Sequence, residues 1–175
     1  MTSVLKVDSI QNSSGTSALS INSSGIVIPN SVGFQVIATD TDQSYTASNY
    51  AKVTWETVEF DTISGWDSTN HRYTPSVAGW YLFGGTVRLS NSTVALIAFN
   101  IAKNGATNDA TALMIQLQHS GDTYTNGEYP FPTGMLHLNG STDYVEVYFQ
   151  SEENCTLHDS ANRKSFFWGK LVHPT

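Results

Sequence analysis

The side chains able to carry chemistry in this chain are five histidines, one cysteine and fifteen carboxylates, so their spacing decides what they can do. A zinc protease needs two imidazoles one helical turn apart around a general base. His71, His119, His137, His158 and His173 show no such His-Glu-x-x-His spacing. Cys155 lies between Asn154 and Thr156 with no base beside it, and reads as an inert thiol rather than a nucleophile. Neither a Gly-x-Ser-x-Gly elbow nor a phosphate-cradling glycine loop is present. Asp40, Asp42, Glu152, Glu153 and Asp159 offer oxygen ligands in two segments, with the His158 imidazole beside them. Without a calcium-loop pattern they read as solvated charge. The sequence therefore predicts no catalytic residue, no metal and no cofactor, and a protein that is not an enzyme.

One stretch has the composition of a recognition surface. Between His119 and Pro132, rings alternate with polar groups: Tyr124, Tyr129 and Phe131 can stack on sugar faces while Asp122, Asn126 and Glu128 bond hydroxyls. The competing reading is that the rings fold back to order a long connection. His137 stands out separately, because it shares strand parity with Met135, opposite Leu136 and Leu138.

Composition limits the partners. Charged residues make up 13% of the chain, against an average of about 25%. The net charge is −7, with only eight Lys and Arg. Nucleic acid demands a basic footprint that this chain does not supply. The longest apolar run, Val94 to Phe99, is six residues, far from the roughly 20 of a membrane helix. Met1-Thr2-Ser3-Val4-Leu5-Lys6 has no basic region leading into an apolar stretch, so no secretion signal is predicted. These features predict a soluble acidic protein that binds no nucleic acid and inserts in no membrane.

Recognition groups on a connection need a rigid scaffold, and the rest of the chain reads as strands. Residues 1–32 form one segment, and 33–175 form the main domain. The first segment has no aromatic residue and repeats Asn-Ser-Ser-Gly at 12–15 and 22–25. Each copy precedes a short β-prone stretch, giving a strand-turn-strand rhythm. Val4, Val7, Ile10, Leu19 and Ile21 are its apolar residues expected to dock, too few for an independent core. From Gly33 onward, strands are predicted at 33–39, 51–60, 72–74, 79–89, 94–103, 111–118, 133–138, 143–150 and 165–172. Turns are expected at Asp67–Asn70, Asn104-Gly105, Asn126-Gly127, Asn139-Gly140 and Asp159–Asn162.

Alternation then sorts the faces. Val145, Val147 and Phe149 oppose Tyr144, Glu146, Tyr148 and Gln150; Ile97, Phe99 and Ile101 oppose Ala98, Asn100 and Ala102. Leu113, Ile115 and Leu117 likewise oppose Ala112, Met114 and Gln116. Those strands are expected to have one wet face. Trp80-Tyr81-Leu82-Phe83 and Phe166-Phe167-Trp168 are apolar on both sides instead, and a strand apolar on both sides must be covered on both. A helix-free domain has nothing of its own for the second cover, so the pattern predicts burial against further copies. Trp80, Leu82, His137, Phe166 and Trp168 are the expected interface residues.

The residues also resemble a known family. Phe60-Asp61, Trp66-Asp67 and Tyr73-Thr74-Pro75-Ser76-Val77-Ala78-Gly79-Trp80-Tyr81-Leu82-Phe83 are similar to the globular head of complement and its tumour-necrosis-factor-like relatives. Leu136-His137-Leu138-Asn139 before Asp143-Tyr144-Val145-Glu146-Val147 resembles that family's sixth and seventh strands. Ser165-Phe166-Phe167-Trp168-Gly169-Lys170-Leu171 resembles its closing strand. The resemblance implies an all-β, TNF-like jelly-roll β-sandwich of about ten strands, assembled as a homotrimer with its inner sheet facing the threefold axis. It also implies that connections near 40–50, 89–93, 119–132 and 151–164 gather at the end away from the termini. The stretch from Val4 to Ile21 resembles the start of tail-fibre and structural proteins of phages, especially those infecting cyanobacteria. That implies a virion location after synthesis in the host cytoplasm, contact with other virion proteins through residues 1–32, and a tail fibre or fibre tip meeting a host-surface glycan or protein. A capsid or baseplate decoration protein and a secreted lectin-like module are the alternatives, the second disfavoured by the missing signal.

Overall fold

Asparagine and glycine place the turns, and the strands follow from them. A computed structural model of the chain describes residues 7–38, 42–47, 50–90, 94–105, 114–124, 127–130, 133–157 and 165–175, with backbone alone at 29, 90, 94, 95 and 114–124. The chain divides into two compact units, Met1–Ser31 and Val32–Thr175.

The first unit is an antiparallel meander of β1 (Ser9–Gln11), β2 (Ser17–Ile21) and β3 (Val27–Pro29). Its repeated tetrapeptide is one turn built twice. Asn12 Oδ1 accepts from the amides of Ser14 and Thr16 at 3.0 and 2.9 Å, and Asn22 Oδ1 does the same for Ser24 and Ile26. Gly15 and Gly25 close the turns at φ +82° and +75°, where a side chain would be strained. The register pairs Ile10 with Leu19 and Ile21 with Val27, which puts these four apolar residues on one face. Ser9, Ser20 and Ile28 share the other. Of the docking residues expected here, Val7, Leu19 and Ile21 are half-buried, Ile10 is exposed, and Val4 lies outside the described residues.

The second unit contains β4 (Gly33–Ile37), β5 (Gln43–Tyr45), β6 (Ala51–Lys52), β7 (Thr57–Asp61), β8 (Trp66–Asp67), β9 (Arg72–Tyr73) and β10 (Gly79–Ser90). It continues through β11 (Val94–Lys103), β12 (Met114–Tyr124), β13 (Gly127–Pro130), β14 (Gly134–Leu138), β15 (Val145–Ser151), β16 (Cys155–Leu157) and β17 (Phe166–Pro174). The larger sheet runs β5-β16-β10-β17-β4-β7, with β13 and β14 also on β10; the smaller runs β12-β11-β15-β9-β8, with β6 on β15. Sequence neighbours seldom pair, and β4 lies directly against the closing strand β17. Strands on both sheets face a shared core: Phe34, Tyr81, Phe83 and Phe167 from the larger, Ile97, Phe99, Val147 and Phe149 from the smaller. Phe34 stacks on Tyr73 with ring centroids 4.0 Å apart and meets Phe167 edge-on at 5.2 Å.

Three expectations need correction. The single strand at 51–60 is two pieces, because Val53 and Trp55 turn fully into the core between β6 and β7. The connection at 119–132 is largely strand: β12 extends to Tyr124 along β11, and β13 pairs with β10 from Thr86↔Pro130 to Leu89↔Gly127. Ladder bonds to two long neighbours override the polar composition there. Finally, Ala98, Asn100, Ala102 and Glu146 are buried although they point away from the core. Asn100 sits opposite Tyr148 and Ala102 opposite Glu146, so small side chains lie in the lee of long ones.

Candidate interaction face

The face of the larger sheet turned away from the core is built by cross-strand register. On β10, alternate residues Tyr81, Phe83, Val87 and Leu89 enter the core, which leaves Trp80, Leu82, Gly84 and Thr86 outward. Across the ladder, Trp80 pairs with His137 on β14 and His173 on β17; Leu82 pairs with Met135 and Lys170. Gly84 pairs with Trp168, which pairs with Gln35 of β4 and, through it, Phe60 of β7. Thr86 pairs with Phe166.

The result is a continuous apolar face. Trp80 is 45% exposed, Met135 53%, Val172 55% and Phe60 49%, so large side chains meet water where a settled surface would be polar. Leu82, Phe166 and Trp168 are half-buried among them. Trp168 lies across β10 at Gly84, where an added Cβ would stand 2.9 Å from the indole. Trp80 and His137 meet edge to face at 5.6 Å, and His137 Nε2 is 3.1 Å from Thr175 Oγ1. All five residues expected at an interface thus fall on one face. Met135, Val172 and Phe60 share that face and were not among the expected residues. Met135 shares the parity of His137, whereas Val172 turns outward at a bulge where Trp80↔His173 is followed by Tyr81↔Leu171.

The end of this face is held by a charged lock. Lys103 Nζ donates to the carbonyl of His137 at 2.9 Å and contacts Asp143 Oδ2 at 2.6 Å. Asp143 also accepts from Asn104 Nδ2 and the amide of Asn139. Burial works against its charge, but these bonds and Lys103 prevail and hold the carboxyl below the usual aspartate range. On the smaller sheet several outward polar groups pair: Glu146 contacts Lys52 at 2.5 Å and accepts from Tyr148 Oη at 2.7 Å, while Arg72 lies 4.6 Å over Tyr144.

The residues expected to recognise a ligand do not form one described cluster. Asp122 and Tyr124 are on β12, where backbone alone is given; Asn126 and Phe131 lie outside the described residues. Glu128 is exposed on β13, but the Tyr129 ring packs against the core rather than presenting a stacking platform. A polar depression of about 250 Å³ lies between β5 and β16, lined by Ser44, Thr46, Asn154 and Thr156. Cys155 beneath it is buried, with Ser151 Oγ 3.2 Å from its sulfur, and burial pushes the thiol up. Among the described residues, no three His, Cys, Asp or Glu side chains gather into a metal-holding group. His158 and Asp159 lie outside the described residues.

No protein-family model and no curated protein matches the chain. Solved structures do. The globular domain of zebrafish complement 1qA protein aligns at a TM-score of 0.58 and 13% identity, covering 83% of this chain and 99% of that one. Murine APRIL at pH 8.5 gives 0.59 and 15%, covering 81% and 99%. The Eiger TNF of S. frugiperda gives 0.59 and 14%, covering 81% and 92%. The chain therefore has the all-β jelly-roll fold of complement and tumour-necrosis-factor heads.

Proposed function

We propose that the protein is a non-enzymatic recognition module that works as a homotrimer, joined through the outward face of β10, β14 and β17. The carrying observation is that Trp80, Met135 and Val172 are each about half exposed on a face whose core side is complete. Burying apolar area of this kind yields roughly 25 cal/mol per Å², and a further copy supplies a surface of matching chemistry. The jelly-roll fold supports the reading, since the resemblance already implied assembly through this sheet. In the particle setting suggested by the opening residues, the trimer is a phage tail fibre or fibre tip. Residues 1–32 attach it to other virion proteins, and the end carrying β12, β13 and the Ser44–Asn154 depression meets a host-surface glycan or protein.

Light scattering on the intact chain at pH 8 tests the assembly. The expected mass is three times 19.1 kDa; a stable monomer would refute the reading. Antibody labelling of purified particles tests the location, with fibre labelling expected and labelling spread over the capsid pointing to a decoration protein instead.

A further inference from the structure

We propose that the β1–β3 meander packs against the same segment of the two other copies, so that its apolar residues close a small core shared by the trimer. The inference rests on the trimer reading above and deepens it by assigning a partner to residues 7–31. Ile10, Ile26, Val27 and Ile28 are each about half exposed, and none of the described side chains of this unit is buried. Below about 40 residues a fold generally needs disulfides, a metal or oligomerisation. Residues 1–31 hold no cysteine, no histidine and one carboxylate, Asp8, which leaves association.

The apolar pattern favours copies of this chain over a single foreign surface. Ile10, Leu19, Ile21 and Val27 give one face an apolar residue on every strand. The other face is polar where Ser9 pairs with Ser20. Its exposed apolar residues lie along the β3 edge, at Ile28 and at Ile26 two residues before it. One docking surface covers the first face and leaves that edge in water. In a ring of three, each first face turns inward and each β3 edge lies against the next copy, so both are covered.

Charge and linkage point the same way. Between Val7 and Ser31 the one ionisable side chain is Asp8. Copies therefore meet with little repulsion, while a foreign partner finds almost no charge to recognise. The first unit ends at Ser31 and the jelly roll begins at Val32, with no linker between them. Once the heads assemble, their meanders are tethered at an effective concentration on the order of millimolar. The two Asn-Ser-Ser-Gly turns stay outside the shared core, free for attachment to other virion proteins.

The test is hydrogen exchange by mass spectrometry on the full purified chain, with sedimentation run on the same samples. It compares wild type, Val27→Lys, Ile28→Lys, and Leu82→Lys diluted until it sediments as protomers. Both meander variants place lysine on a half-exposed position, which an uncovered meander would tolerate. The expected result is a wild-type trimer whose strand amides in residues 9–29 exchange at least about a hundredfold more slowly than an unstructured peptide. That protection falls at least about tenfold in each meander variant and in the Leu82→Lys protomer, while peptides from β11 and β15 stay protected and show the head still folded. A wild-type trimer whose meander exchanges freely overturns the inference, points to another virion protein as the cover and leaves the trimer reading intact. Protection that persists in Leu82→Lys protomers also overturns it, because the cover then lies within one chain. Unchanged protection in either meander variant overturns it too, since both sides are required to be dry. A wild-type monomer overturns this inference and the trimer reading together.

Discussion

Replacing Leu82 by lysine separates assembly from folding. Leu82 points outward between Met135 and Lys170, with Tyr81 and Phe83 on either side directed into the core. Lysine is chosen over aspartate because Lys170 would neutralise an acid. Losing the remaining burial of this half-buried leucine costs about 1 kcal/mol per copy. The like charge directly across the strand adds up to about 1 kcal/mol. Three copies together lose about 3–6 kcal/mol of association free energy, or at least about two decades in the dissociation constant. In the isolated protomer the lysine stem covers the same apolar surface and its ammonium reaches water, so unfolding free energy should change by under about 1 kcal/mol. Sedimentation at micromolar concentration and urea unfolding read the two effects separately. A Leu82→Lys protein that remains trimeric with wild-type affinity would refute the placement of the interface. A variant that fails to fold would refute the claim that this face lies outside the core.

The neighbouring core positions behave in the opposite way. Phe167→Ala, from a fully buried ring against Phe34, Trp55 and Phe83, should cost about 3–5 kcal/mol in urea unfolding of the protomer. Asp143→Asn should cost about 1–3 kcal/mol by removing a charged acceptor of three bonds. Because Asp143 is lowered on folding, its contribution is complete above the ordinary aspartate value of 3.8 and is lost as the pH falls through its lower folded value. Unfolding at pH 7 and pH 2 should accordingly show the variant's deficit shrinking in acid. Cys155, buried and with its thiol raised, should react with a maleimide far more slowly in native protein than in urea, as mass spectrometry will show.

What could be read from residues alone was whatever depends on local period. Tyr81 and Phe83 against Trp80 and Leu82, or Val145 and Val147 against Tyr144 and Tyr148, follow from strand alternation before any pairing is known. The repeated Asn-Ser-Ser-Gly turns are equally local, since each is closed within five residues by its own asparagine. What escaped depends on partners remote in sequence. The burial of Asn100 requires knowing that Tyr148 lies opposite it. The strand character of residues 119–124 comes from a ladder to β11, and the inward turn of Tyr129 comes from pairing with Val87. Val172 required the bulge beside Trp80. Of the expected recognition set, Glu128 and Tyr129 are neighbours in sequence, but the alternation of β13 exposes the first and packs the second against the core.

The two outward faces of the sandwich also explain why one of them, and not the other, should seek a partner. On the smaller sheet the central residues Ala98, Asn100 and Ala102 are small, and Tyr148, Glu146 and Lys52 close over the neighbouring positions with their polar groups paired. Covering the described part of that surface would mean removing ion pairs from water at a cost not returned by apolar contact. On the larger sheet the same positions carry Trp80, Leu82, Met135, Phe166 and Trp168, with two histidines and one lysine as the ionisable groups among them. Water gains nothing from these rings, and a matching face loses little in meeting them. The asymmetry of the sandwich thus makes the larger sheet the face through which further copies would pack.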